Sequence, residues 1–318
     1  MALEHDYKAI VERYIHNNKG KDLGEGSIRK DSSGSLSDLL NSYTHVCPDD
    51  AYDAINSMIG LNNIKTELGR INDRYRFYQA SGAVDNAAYG HMCFYGPPGT
   101  GKTSVARIIG TMLYDAGFIR RKETIEIDGA FLRRCSGSPS EYIEKIAAKA
   151  SGGVLFIDEA YSVALGTLGY ELIASLTKIM EDYRDELVVI FAGYVNEMRD
   201  MIMTNPGLRS RIKTELYFEP YGIEDLMAIF YKWLRNGSPV FNIERGAANA
   251  ISDYVQSQMS RQDFANAREM RNIYESLIGI HASNYYHDNG NSDRNMYVIT
   301  TEDAQAFVTE KTKISNIL

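Results

Sequence analysis

Lysine and threonine close the run Gly96-Pro97-Pro98-Gly99-Thr100-Gly101-Lys102-Thr103, whose spacing is G-x-x-x-x-G-K-[ST]. Ordering backbone this rich in glycine costs conformational entropy, so a ligand is expected to reward it. The glycines let successive N–H groups turn toward one centre as an anion nest, and a helix start adds the positive end of its dipole. An apolar run, HMCFY, precedes the loop and a helical pattern, TSVARIIGTMLYDAG, follows it, which is the context the motif requires. The loop therefore reads as a nucleoside triphosphate site. Pro98, Gly99, Thr100, Gly101 and Ser104 surround the phosphates, Lys102 reaches the β- and γ-phosphates, and Thr103 offers its hydroxyl to Mg²⁺.

Asp158 and Glu159 end the apolar segment of VLFIDEA. A buried parallel strand that delivers adjacent carboxylates at its C-terminal end is where doubly wound sheets keep ligands. Asp158 is expected to hold Mg²⁺ through water, and Glu159 to polarise an attacking water. A water-activating base favours a hydrolase over most P-loop kinases.

Positioning these groups needs a sheet. Between Ala51 and Phe218 the segments HMCFY, TIEID, VLFID and LVVIFAG alternate with longer amphipathic runs such as YELIASLTKIMEDY. Such alternation implies right-handed βαβ units and a doubly wound, mostly parallel α/β sheet covered on both faces. Beyond Pro220 the patterns IEDLMAIFYKWL, ERGAANAISDYVQSQM, AREMRNIYESLIGIHASNYY and TTEDAQAFV are helical throughout, which predicts a smaller all-helical domain. At the N-terminus, Leu3, Tyr7, Ile10, Val11, Tyr14 and Ile15 fall at helical spacing, and a Gly/Ser-rich charged linker follows. The expected organisation is a helix and linker over 1–46, a nucleotide-binding domain over 47–218 and a helical lid over 219–318. His281 and His287 flank the polar stretch SNYYHDNGNSD without metal-ligand spacing and read as an exposed loop between helices.

Composition narrows the partners. The 318 residues are 44% hydrophobic and 24% charged, ordinary for a globular protein. A net charge of −8, with no basic stripe among the 22 tyrosines, disfavours nucleic acid. Cys47, Cys93 and Cys135 are odd in number and lack metal spacing, which suggests free thiols in a reducing compartment and a cytoplasmic location. No apolar run is long enough for a spanning helix, and the N-terminus lacks the apolar core of a signal peptide.

With the stretches SMIGLNNIKTEL, GPPGTGKTSVAR, GGVLFIDEAY, MEDYRDELVVIFAGYVNEM, NPGLRSRI and FANAREMRN, the chain from Ser57 to Val308 resembles the AAA+ ATPases. Among them it is similar to the CbbX and SpoVK group, which includes the red-type Rubisco activases. The resemblance implies ATP hydrolysis with Mg²⁺ in a homo-oligomeric ring, expected to be a hexamer, that remodels a protein partner. It places Ile59 and Gly60 near the adenine and Tyr194 at the sensor-1 position. Arg211 matches the arginine finger lent to a neighbouring subunit, with Arg209 a second candidate, and Arg268 matches sensor 2. A guanidinium suits the finger role because its fixed fork of donors fits phosphate oxygens.

The segment after TIEID departs from the family pattern. It reads GAFLRRCSGSPSEY, with Cys135 at the position of the family's pore tyrosine, Phe131 the nearest preceding aromatic, and Arg133 and Arg134 beside it. These arginines could bind an acidic tail or a phosphate backbone, or pair with local glutamates. The segment AYSVALGTLGY is shorter than in the Rubisco activases, so Rubisco is not assigned as partner. Two other readings stay open: a nucleotide-gated assembly factor that binds without threading, and a nucleic-acid-linked ATPase.

Overall fold

Short, nearly continuous apolar runs build the centre of the molecule, a six-stranded sheet ordered β1-β3-β4-β5-β2-β6. Its strands are β1 (Thr44–Val46), β2 (His91–Tyr95), β3 (Glu123–Asp128), β4 (Val154–Asp158), β5 (Val188–Gly193) and β6 (Ile212–Tyr217). All neighbours pair in parallel except β1, which runs antiparallel to β3 at the edge. The computed structural model describes residues 36–81, 90–287 and 295–315. The N-terminal helix expected over Leu3 to Ile15, and most of the linker after it, lie outside the described residues.

Alternation assigns each strand residue to a face. Met92, Phe94, Val154, Phe156, Val188 and Ile190 share a cluster with helices α1 (Asn62–Ser81) and α2 (Lys102–Asp115). Cys93, Tyr95, Leu155, Ile157, Val189 and Phe191 join the opposite cluster, under α3 (Pro139–Ala150), α4 (Gly169–Asp182) and α5 (Val195–Met203). Both faces are covered, so the central strands β2, β4 and β5 are apolar along nearly their whole length and almost completely buried, as a parallel sheet requires. In-register parallel pairing brings Tyr95 opposite Gly193 and Asp128 opposite Asp158, which aligns the C-terminal strand ends along one edge of the sheet.

The sheet starts earlier in the chain than expected. Leu40 is fully buried in the second cluster and Thr44–Val46 pairs with β3, so residues 36–46 join the α/β body rather than a linker. Residues Leu36–Leu318 form one compact unit.

A short helix, α6 (Pro206–Arg211), precedes β6. Beyond β6 the chain forms α7 (Ile223–Asn236), α8 (Arg245–Gln258), α9 (Ala267–His287) and α10 (Thr301–Ser315). Leu226, Phe230, Ile251, Val255, Met270, Leu277 and Phe307 pack together there and are continuous with the first sheet-face cluster. Among the described residues, the regular structure of this lid is helical apart from a two-residue parallel pairing of β7 (Asn242–Ile243) with β8 (Val298–Ile299). One expectation fails: both His281 and His287 lie in α9, and His281 is buried rather than in an exposed loop. Its Nδ1 lies 2.8 Å from Asp303 Oδ2 and its Nε2 3.1 Å from the Met296 carbonyl. Asp303 also accepts from Asn284 and Thr300, and these hydrogen bonds hold its carboxyl below the usual range against the opposing effect of its burial.

Candidate functional site

The chain leaves β2 at Tyr95 under tight control. Gly96 N donates to Gly193 O at 3.0 Å, and Phe218 N donates to Tyr95 O at 2.7 Å, tying the ends of β2, β5 and β6 together. The loop then turns through Pro97 to Gly101 and enters α2, whose first turn has no side-chain cap. Glycine is required at Gly99: its φ is +71°, and a Cβ there would collide with the Ala265 carbonyl oxygen of the lid. Thr100 is fully buried and turns its hydroxyl back onto the Pro97 carbonyl at 2.9 Å.

A cavity of about 440 Å³ opens between this loop, the C-terminal strand ends and the lid. Pro98, Gly99, Gly101, Lys102, Thr103 and Ser104 line it from the loop, Asp158 and Glu159 from the end of β4, Tyr194 from beyond β5, and Ile59 from the segment before α1. The lid contributes Arg268. Most residues singled out in the sequence thus meet in one space. Gly60 and Thr100 lie just outside the lining: a Cβ on Gly60 would meet the Asp225 carboxylate of α7 at 2.5 Å. Arg209 and Arg211 lie on α6, away from the lining. Arg209 is exposed, whereas Arg211 is bound to its own subunit, with Nη2 3.0 Å from Glu181 Oε2 and Nη1 donating to the Gly207 carbonyl at 2.9 Å.

Lys102 is 8% exposed, and its Nζ donates at 2.8 Å to the carbonyls of both Gly96 and Pro97. Burial pushes its ammonium below the ordinary lysine range; Asp158 opposes this, Arg268 adds to it and Glu159 opposes it. An incoming polyphosphate would relieve that desolvation by supplying opposite charge. Glu159 holds left-handed backbone, φ 45° and ψ 40°, immediately after the strand. A non-glycine residue there costs on the order of 1–3 kcal/mol, and such strain clusters at functional sites. The Asp158 carboxylate accepts from Glu159 N at 2.9 Å, while the Glu159 side chain is exposed. Thr103 and Asp158 present hydroxyl and carboxylate oxygen, the hard donors that suit Mg²⁺.

Several lining residues carried no signal in the sequence. Met58, Tyr221, Ile229, Lys232 and Trp233 form an apolar end with one amine, and Arg271 stands beside Arg268. Arg271 reads from its spacing as an ordinary surface residue, and it does pair with Glu275 at 2.9 Å while lining the cavity. Lys232 donates to the Ser57 carbonyl at 2.9 Å and Lys65 to the Met58 carbonyl at 2.7 Å, fixing the segment that carries Ile59. Burial pushes the Tyr221 phenol up to about 12. Amphipathic spacing in IEDLMAIFYKWL predicts a helix but not that its C-terminal half lines the same cavity as the phosphate loop.

In the segment after β3, Phe131 is 2% exposed within the second cluster, with the Arg134 guanidinium 6.0 Å from its ring. Cys135 is half-buried, and Arg133 and Arg134 are exposed.

A phosphate loop at the end of a central parallel strand, a carboxylate pair two strands away and a helical lid closing over both define a P-loop nucleoside triphosphatase of the α/β type. Residues 92–220 match the ATPase family associated with various cellular activities (AAA), and residues 222–314 match the AAA lid domain. The chain belongs to the AAA ATPase family and is an ATP hydrolase of the CbbX, Rubisco activase and SpoVK group. It is 35% identical to the plasmid protein CbxX of Cupriavidus necator over 78% of this chain and 81% of that protein. It is also 35% identical to the chloroplastic ribulose bisphosphate carboxylase/oxygenase activase of Cyanidioschyzon merolae, over 69% of this chain and 76% of that one. Stage V sporulation protein K of Bacillus subtilis is 37% identical over 59% of this chain and 60% of its own length. Among solved structures, the FIGL-1 AAA domain superposes with a TM-score of 0.60 at 16% identity, covering 89% of this chain and 92% of that one. A RuvB mutant of Thermotoga maritima gives 0.56 at 20% identity, covering 83% and 73%; these two likenesses concern the fold alone. No described helix is long and apolar enough to cross a membrane.

Proposed function

We propose that this ATPase works as a homo-oligomeric ring, expected to be a hexamer, that couples ATP hydrolysis to remodelling of a protein partner. The observation that carries the reading is the meeting of Lys102, Thr103, Asp158, Glu159 and Arg268 in one cavity, while Arg211 lies outside it and is held by Glu181. Main-chain amides of the loop and Lys102 bind the triphosphate, and Ile59 with the apolar end of the cavity takes the base. Glu159 orients and polarises the attacking water, Tyr194 assists at the γ-phosphate, and Arg268 reports the nucleotide to the lid. Thr103 and Asp158 would hold Mg²⁺, which supplies charge neutralisation at the β- and γ-oxygens. Arg211, or Arg209 beside it, is lent to the neighbouring subunit. A protein substrate is the reading that the relatives support, one of them being named as an activase of another enzyme.

Lys102→Ala is expected to abolish ATP binding by calorimetry, whereas Glu159→Gln keeps binding and loses turnover by a factor of about 10² or more. A Glu159→Gln protein with undiminished hydrolysis refutes the assigned base. Partners retained by the ATP-locked Glu159→Gln protein identify the substrate.

The buried position of Phe131 favours a second reading, an assembly factor that holds its partner without threading it. On that reading Cys135→Tyr leaves partner remodelling unchanged, while under threading by the same loop it strengthens grip. ATPase stimulation by DNA with steep salt dependence would instead support a nucleic-acid role.

A further inference from the structure

The start of α9 is where the lid touches the phosphate loop, and one amide side chain makes the junction. Asn266 directly precedes α9, and its carbonyl accepts from Met270 N at 3.2 Å, which places it at the N-cap. An asparagine there ordinarily turns its side-chain oxygen onto its own helix's first amides. Asn266 points elsewhere. Its Oδ1 accepts from Tyr221 N at 3.0 Å, in the link between β6 and α7, and its Nδ2 donates to the Pro98 carbonyl at 3.1 Å. Ala267 N adds a bond to the Gly99 carbonyl at 3.1 Å. Asn266 is 1% exposed and sits at φ +50°, a left-handed conformation that asparagine tolerates better than most side chains.

The carbonyls of the phosphate loop are thereby divided between two claimants. Gly96 and Pro97 accept from Lys102 Nζ, Pro97 sharing its carbonyl with the Thr100 hydroxyl, whereas Pro98 and Gly99 accept from the lid. A polyphosphate that draws the ammonium off the first pair acts on the same short loop from which the lid hangs. A buried amide matched at both ends to different elements has no alternative partner, so a change at the loop is felt at the lid.

We infer that Asn266 is a positioning residue for nucleotide binding: by tying the lid to the phosphate loop and to the Tyr221 link, it seats Arg268, two residues further on, in the cavity. This deepens the proposed ATP site and rests on it. The test uses the full chain, with emission from Trp233, the single tryptophan and a cavity-lining residue, as the binding signal. Asn266→Ala removes both bonds, and Asn266→Asp keeps the acceptor toward Tyr221 N but sets an acceptor against the Pro98 carbonyl. Each is expected to weaken ATP binding about tenfold. In an Arg268→Ala background each adds less than about twofold, because the effect runs through Arg268. Wild-type affinity in both variants, or an undiminished loss on top of Arg268→Ala, overturns the inference. Should neither variant fold, hydrogen exchange on the wild-type chain decides: ATP is expected to change protection of the Tyr221 and Ala267 amides together, and no change at either refutes the coupling. A wild-type chain that fails to bind ATP sinks the nucleotide site itself, whereas tight wild-type binding with unaffected variants sinks only the role of Asn266.

Discussion

Gly99 shows how far a single hydrogen atom matters at this site. Its left-handed φ alone costs an alanine about 1–2 kcal/mol. The added methyl would also collide with the backbone oxygen of Ala265, which has no side-chain freedom with which to retreat. Gly99→Ala is therefore expected to unseat the lid: ATP affinity falls at least about tenfold, a loss of about 1.4 kcal/mol in binding, while the sheet stays folded by circular dichroism. Titration of Trp233 emission with ATP reads this directly, and an unchanged midpoint would show that the lid contact does not govern binding. The phosphate loop is readable in the sequence because its ligating groups are contiguous and its glycines have one physical purpose. Asn266, Lys232 and Trp233 are not, since Asn266 meets the phosphate loop and the other two the cavity only once the lid has docked, and nothing in their local spacing records that docking.

The same distinction governs the elements. Strands β2, β4 and β5 are apolar along nearly their whole length because both faces are covered, and their sequences read as strands. Strand β6, IKTELY, is a half-exposed edge whose alternation of charged and apolar residues gives a weaker signal, and β1 is three residues long. Residues at the strand starts carry consequences of their own. His91 opens β2 with Nδ1 accepting from Val189 N at 3.0 Å and Nε2–H donating to the Met180 carbonyl at 2.8 Å, an arrangement that only the neutral ring satisfies. Burial holds its pKa at about 4, against 6.5 unperturbed. The unfolded chain therefore binds a proton between those values that the folded chain refuses, so this stability is complete above pH 6.5 and is lost as pH falls toward 4. At pH 5 the loss attributable to His91 is about 2 kcal/mol. Urea midpoints at pH 7 and pH 5 for wild type and His91→Gln check it: the variant is expected to show the smaller acid loss, and equal losses would remove His91 from the account.

At the scale of the whole molecule, the proposed nucleotide site draws its groups from one chain except for the cation expected to meet the developing charge on the γ-phosphate. Arg211 stands off from its own cavity, turned toward Glu181, which also pairs with Arg184. These two arginines, Arg184 first, hold the Glu181 carboxyl below its usual range. Subunit association would have to draw Arg211 from that exposed pairing to a neighbour's triphosphate, an exchange that costs little because surface ion pairs are weak. Activity per subunit is then expected to rise with protein concentration, and Arg211→Ala to lower kcat by about 10³ while ATP binding is kept. Arg209→Ala, altering the exposed neighbour, keeps most of the activity if Arg211 is the finger. The decisive measurement mixes two inactive proteins. An Arg211→Ala subunit retains an intact cavity, and a Lys102→Ala subunit retains an intact finger; if the arginine acts across the interface, the mixture regains part of the ATPase rate that neither protein has alone. A mixture as inactive as its components, at concentrations where light scattering shows co-assembly, would place the missing cation within the same chain and remove the physical reason for a ring.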